Sequence, residues 1–168
     1  MDRIKVAGII KESVVDGPGI RLVVFAQGCK HNCPGCHNPE THPFNGGKDI
    51  KICEILEEIK GNPLLCGVTF SGGEPFEQAE GFTRLGEEIK KLGLNVLTYS
   101  GYTYEKILSH SIKNRAWKNL LQVTDVLIDG PFDISKKDIS LKFRGSSNQR
   151  IVDVQKSLKE GETVLCQI

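Results

Sequence analysis

Three cysteines within eight residues, Cys29, Cys33 and Cys36, are the part of this sequence best equipped for chemistry. They lie in QGCKHNCPGCHNPET with the spacing CxxxCxxC, and Gly28 and Gly35 allow tight turns around the sulfurs, so three thiolates can converge on one centre. A structural zinc site wants four ligands in two separated pairs, and an electron-transfer ferredoxin wants a fourth cysteine in or near its run. This loop supplies neither. Three thiolates on a [4Fe-4S] cube leave one iron open, which is what catalysis by direct ligation requires. Two alternatives use the same cysteines. His31 or His37 could complete a zinc tetrahedron, although both also suit exposed loop positions or contacts around the ligands, and a noncatalytic iron–sulfur carrier or sensor would need no open iron.

A second segment narrows the choice. Ser71-Gly72-Gly73-Glu74-Pro75 follows a short apolar run, so its two glycines let a ligand approach the main chain, Glu74 offers a carboxylate to a cation such as an amino group, and Pro75 suits the first turn of a helix. An ordinary strand-to-helix turn would read the same way. Further turn formers join polar or aromatic side chains in Asp16-Gly17-Pro18-Gly19, Tyr99-Ser100-Gly101-Tyr102 and Asp129-Gly130-Pro131-Phe132. Tyr102 or Phe132 could stack on a purine or simply pack. Asp129 could be a turn residue, a helix cap or a ligand contact.

These segments need elements to position them. Short runs rich in branched residues at 20–25, 66–70, 95–100 and 125–129 read as strands buried on both faces. Between them, apolar spacing predicts helices over 49–60, stopped at Gly61-Asn62-Pro63, over 77–92, ended by Gly93, and over 103–121 with a break near Asn114. A strand and helix repeating in this way predict right-handed βαβ units and a parallel sheet, open or curved into a partial barrel, with ligands at the carboxyl ends of the strands. The tail segments RIVDV and TVLCQI allow either a helix and strand or a closing hairpin.

Composition excludes more than it identifies. The 168 residues suit one domain, with 39% apolar and 26% charged residues. A balance of 22 Lys and Arg against 21 Asp and Glu gives no general footprint for nucleic acid or a membrane. The opening MDRIKVAGIIKES lacks a signal-like apolar run, and a cytoplasmic protein is expected. Cys53, Cys66 and Cys166 are scattered in apolar contexts and are expected to be small buried hydrophobes.

CxxxCxxC after one strand and GGEP after the next together resemble the radical S-adenosylmethionine superfamily. VDGPGIRLVVFAQGCKHNCPGCHNPET is similar to the start of the glycyl-radical-enzyme activases, and TYSGYTYE, DVLIDGPF and KFRGSSNQRIVDV resemble the branch of that family serving anaerobic ribonucleotide reductase. The resemblance implies a reduced, parallel-stranded partial (β/α) barrel. It implies that Cys29, Cys33 and Cys36 ligate a [4Fe-4S] cluster whose open iron takes the amino and carboxylate groups of S-adenosylmethionine. Gly72, Gly73 and Glu74 would then meet the amino group, Gly35, Cys36 and His37 would lie against the cofactor near the adenine, and Asp129 would serve a monovalent cation beside the carboxylate. Gly130-Pro131 departs from the family pattern at that last position. Arg144, Ser146, Asn148 and Arg150 could reach the carboxylate or ribose, or form a structural turn. The implied partners are a glycine loop on the large subunit of anaerobic ribonucleotide reductase, or on another glycyl-radical enzyme such as a formate-lyase, and a reduced flavodoxin-like donor.

Overall fold

In the computed structural model, which describes residues 2–167, the four expected strands form the parallel centre of a mixed sheet. They are β2 (Arg21–Ala26), β4 (Gly67–Gly72), β5 (Asn95–Tyr99) and β6 (Val126–Asp129), paired in that order. Three antiparallel strands enlarge it: β1 (Arg3–Ser13) pairs with β2, β3 (Lys48–Lys51) pairs with β1, and β7 (Arg150–Asp153) pairs with β6. The order β3-β1-β2-β4-β5-β6-β7 is that of an open, seven-stranded sheet. The expectation of an all-parallel sheet is therefore corrected at both edges. Residues 49–51 were expected to begin a helix but belong to β3 and lie along β1, because Ile50 faces Ile4 there while the helix proper starts at Ile52.

The helices follow from spacing and caps. α1 (Ile52–Lys60) buries Ile52, Ile55 and Ile59, and α2 (Ala79–Lys91) buries Phe82, Leu85 and Ile89, after one 3-10 turn at Pro75–Gln78. The third expected helix does divide at Asn114. α3 (Tyr104–Ser111) is capped by Thr103, and α4 (Arg115–Val123) by the Asn114 side chain, which accepts from the Trp117 amide at 3.2 Å. These helices join Leu22, Val24, Val68, Phe70, Val96 and Leu127 of the sheet in the main core. The tail forms β7, then α5 (Val154–Glu160), then a single bridge from Leu165 back to Val152. Among the described residues, no helix is long and apolar enough to cross a membrane.

The scattered cysteines depart from expectation. Cys53 is exposed because the inward face of α1 is taken by isoleucines, Cys66 is exposed in the loop entering β4, and Cys166 is half-buried.

The other face of the sheet carries Arg21, Thr69, Leu97, Tyr99 and Ile128, and residues 130–149 form a strap on this side. The Tyr99 hydroxyl donates to the Phe143 carbonyl at 2.6 Å, Gln149 Nε2 donates to the Gly130 carbonyl at 3.1 Å, and Asn148 Nδ2 donates to the Pro131 carbonyl at 2.8 Å. Arg21 is fully buried without a carboxylate partner, donating instead to Thr69, Pro18, Val68 and Asn95, and burial lowers its pKa to about 10.

One ion network closes the β6–β7 edge. Arg150 donates to buried Asp129 and to Glu105 on α3, while Asp129 also accepts from the Tyr104 amide at 2.7 Å. Arg150→Met strands the Asp129 charge in the interior and is expected to cost about 3–5 kcal/mol in chemical denaturation; a loss below about 1 kcal/mol would show that the pair does not hold this edge. Hydrogen bonds from Arg150 and then Thr163 hold the Glu105 carboxyl down to about 2. Because that value is depressed, the associated stability is present above the ordinary glutamate range and disappears as pH falls towards 2. Glu105→Gln should reduce that acid-dependent loss of stability, by a modest amount since the side chain is half exposed.

Candidate active site

The first three parallel strands and β6 each release a loop at the same end of the sheet, where open α/β sheets place their ligands. The loop after β2 carries the cysteines and is stitched down by its own backbone: the Gly28 amide donates to Thr41 O at 2.6 Å and the Cys29 amide to His42 O at 3.1 Å. Gln27 donates its side-chain amide to Glu40 O at 3.1 Å and Pro43 O at 2.6 Å, fixing the return of the loop. The glycine turn after β4 is docked directly against this loop. The Gly73 amide donates to Ala26 O and the Glu74 amide to Gly28 O, both at 2.8 Å. At Gly72 φ is +92°, and a Cβ there would lie 2.6 Å from the Ala26 nitrogen. A Cβ on Gly73 would lie 2.5 Å from the Gly28 carbonyl oxygen, so glycine is required by close approach of two backbones as well as by conformation.

Together these loops and the strap enclose a cavity of about 530 Å³ lined by Cys29, Cys33, Cys36, His37, Gly72 and Gly73, among others. His31, His42, Tyr99, Ser100, Gly101 and Phe132 line it too. Strap residues Leu141, Phe143, Arg144 and Gln149 form the opposite wall, and Val15, Asp16 and Phe25 extend it along the sheet. Of the expected contacts, Gly35, Glu74 and Asp129 do not line it, and of the four polar residues in FRGSSNQR only Arg144 does, while Ser146, Asn148 and Arg150 do not. Gly35, at φ +75°, sits under Ile134 and Phe132. Asp129 serves Tyr104 and Arg150. Sequence reasoning missed Val15, Phe25, His42 and Leu141; only alternation along the strand from Arg21 pointed Phe25 to this face.

The Glu74 carboxylate is fully buried and fully occupied. It accepts from the Phe76 amide at 3.1 Å, the Ser100 hydroxyl and the Gly101 amide at 2.8 Å each, and meets His31 Nε2 at 2.7 Å. His31 is thereby drawn out of the solvent and packs edge-on to Tyr102, with ring centroids 4.4 Å apart. His37 packs edge-on to Phe132 at 5.2 Å.

The donor set suits a cluster. Cys29, Cys33 and Cys36 all border one cavity. A cluster spreads its ligands, one thiolate to each of three irons. Burial, and then the charges of Glu74, Cys33 and Cys36, push the Cys29 thiol up to about 11, and burial also raises Cys33. Cys29 and Cys33 therefore keep their protons until a metal centre displaces them.

The family model of the 4Fe-4S single cluster domain matches residues 15–152, a span running from the cavity residue Val15 to β7. The chain belongs to that family. The chain is 31% identical over 144 residues to the anaerobic ribonucleoside-triphosphate reductase-activating protein of Escherichia coli strain K12, covering 81% of this chain and 90% of that protein. It is 39% identical over 116 residues to the pyruvate formate-lyase-activating enzyme of Clostridium pasteurianum, covering 64% of this chain and 49% of that enzyme. The corresponding Escherichia coli pyruvate formate-lyase 1-activating enzyme is 32% identical over 86% of this chain and 58% of its own length. Among solved structures, QueE from Escherichia coli overlaps 60% of this chain and 54% of its own, with 16% identity and a TM-score of 0.47, too slight a likeness to bear on fold or chemistry.

As a 4Fe-4S family member, the chain should lose its metal when the docking of its two loops is disturbed, even with all three cysteines intact. Gly73→Ala places a methyl group against the Gly28 and Thr41 carbonyls, which have no side-chain freedom to yield. After anaerobic reconstitution its iron content should fall well below that of the parent protein; an undiminished content would mean that this contact does not shape the cluster loop.

Proposed function

We propose that this protein activates an anaerobic ribonucleotide reductase by creating a glycyl radical on its large subunit, using a [4Fe-4S] cluster held by Cys29, Cys33 and Cys36 and S-adenosylmethionine as the second cofactor. The observation that carries the reading is the joining of the cysteine loop and the Gly72-Gly73 turn into one cavity wall, together with near full-length similarity to reductase-activating proteins. Bound there, the reduced cluster and S-adenosylmethionine would together supply one-electron reductive cleavage of the sulfonium, the chemistry needed to take a hydrogen atom from a glycine of the partner.

The chain's own residues bind, orient and exclude. Gly72 and Gly73 offer a wall without side chains, against which an amino acid group can lie on main-chain atoms. Arg144 borders the same cavity, and its Nε is buried without a hydrogen-bond partner, which suits it to receive the methionine carboxylate. His37 and Phe132 stand where an adenine could lie, between the cysteine loop and the strap. Glu74 is available to the ammonium group only when His31 gives up its place on the carboxylate. The aliphatic and aromatic groups of Leu141, Phe143 and Phe25 keep water from the remainder of the cavity. A cation at Asp129 has no support in this geometry, since Arg150 already neutralises that carboxylate.

A second reading, an activase for a formate-lyase, draws on the 39% identity to the clostridial enzyme. The reductase reading draws on similarity that extends over 90% of the reductase activator, against 49% and 58% of the two formate-lyase activators. The anaerobically reconstituted and reduced protein should convert S-adenosylmethionine to 5'-deoxyadenosine and methionine, and should raise a glycyl EPR signal on an anaerobic ribonucleotide reductase but not on a pyruvate formate-lyase. Cys33→Ala should abolish both cluster and turnover. Cleavage at the parent rate by that variant would remove the cluster from the mechanism.

A further inference from the structure

We infer that an acidic, one-electron donor protein docks on the exposed side of α3 and the α3–α4 corner. The inference rests on the proposed function, since only a redox cluster needs such a donor. The first observation is charge. Lys113, Arg115 and Lys118 line one groove at this corner, and Lys106 stands on α3 beside it. Of the two nearby acids, Glu105 is held by Arg150 and Thr163, which leaves Glu162. In a chain whose net charge is +1, four cations at one corner are a local concentration.

The second observation is shape and polarity. A groove of about 890 Å³ runs between α3, the start of α4 and residues 161–163. Leu108 and Ile112 line it, and they are 40% and 84% exposed in a protein that otherwise buries its helix faces well. Apolar side chains ringed by cations suit a protein partner with an acidic rim, whereas a polyphosphate surface would leave Leu108 and Ile112 without a counterpart.

The third observation ties the corner to the cluster loop. His110, exposed on α3, stacks on Trp117 with centroids 5.0 Å apart and planes at 30°. Trp117 lies 4.9 Å from Tyr102, and Tyr102 lies 4.4 Å from His31, which sits between Cys29 and Cys33 in sequence. A continuous line of rings thus runs from the cationic surface to the loop that holds the cluster. Lys106 adds its ammonium group 5.3 Å above the Tyr102 ring. The step across this interface is electron transfer alone. A flavin hydroquinone anion gives up one electron to become the neutral semiquinone, the oxidised cluster gains that electron, and no proton or group crosses.

The test uses the reconstituted holoprotein without S-adenosylmethionine, following cluster reduction by absorbance and EPR with either reduced flavodoxin or dithionite as donor. Lys113→Glu/Lys118→Glu should slow reduction by flavodoxin roughly 10-fold or more at low ionic strength. Reduction by dithionite should be unchanged, and calorimetry should show weaker flavodoxin binding. The difference between parent and variant should shrink as salt is raised. Lys48→Glu/Lys60→Glu, the same charge change on β3 and α1 at the other edge of the sheet, should leave flavodoxin reduction alone. Equal slowing by both pairs, or none by the first, overturns the docking face. A flavodoxin response that is unaffected while the first pair abolishes self-association would overturn it in favour of a second copy of the chain as occupant. Failure of the parent protein to take up a reducible cluster is a different result, and strikes the proposed function itself.

Discussion

A single buried carboxylate, that of Glu74, holds the site together. Its four donors come from the turn that starts towards α2, the loop after β5 and the cysteine loop, so three strand ends meet on one side chain. A carboxylate with no solvent contact is tolerated only when its lone pairs are fully used, and the bonds it accepts are then charge-assisted and strong. Its place is set in turn by the parallel pairing of β2 with β4, which brings Ala26 opposite Gly72 and so puts the two chemically equipped loops side by side. Everything in the cavity follows from that register.

The two faces of the sheet divide the work of stability and function. Helices seal one face with an uninterrupted apolar core, and the strap crosses the other with backbone and amide hydrogen bonds that are individually weaker. A cavity can persist only on the second face, because close packing of the kind seen around Phe70 and Phe82 leaves no room. Even there the lower part of the face is filled by Arg21, whose guanidinium substitutes carbonyl and hydroxyl partners for water. The open volume is thereby confined to the strand ends, beside the cysteines.

Much of this was legible in the chain. The central strands are short and rich in branched apolar residues, and burial on both faces leaves few other ways to satisfy such runs. Asn114 was readable as a break because its side chain competes for the next helix's amides. The edge strands were not legible. β1 alternates irregularly and contains register shifts, and β3 is four mostly exposed residues that join the sheet only because Ile50 finds Ile4. The exposure of Cys53 was equally hidden, since helical spacing alone does not say which of two adjacent apolar residues faces inward.

By itself the sequence determined the donor atoms and their order: three thiols at CxxxCxxC, a two-glycine turn after the next strand, and the strands that carry both to one end of a sheet. Those features depend on residue type and local spacing, which are properties of the chain. Tertiary structure decided which groups remain free. It drew Glu74 and His31 together, turned Asp129 to Arg150, set Arg144 against the cavity and ran a line of rings from His110 to the cluster loop. A side chain's availability depends on partners distant in sequence, and the competition among those partners is settled only when the strands have paired.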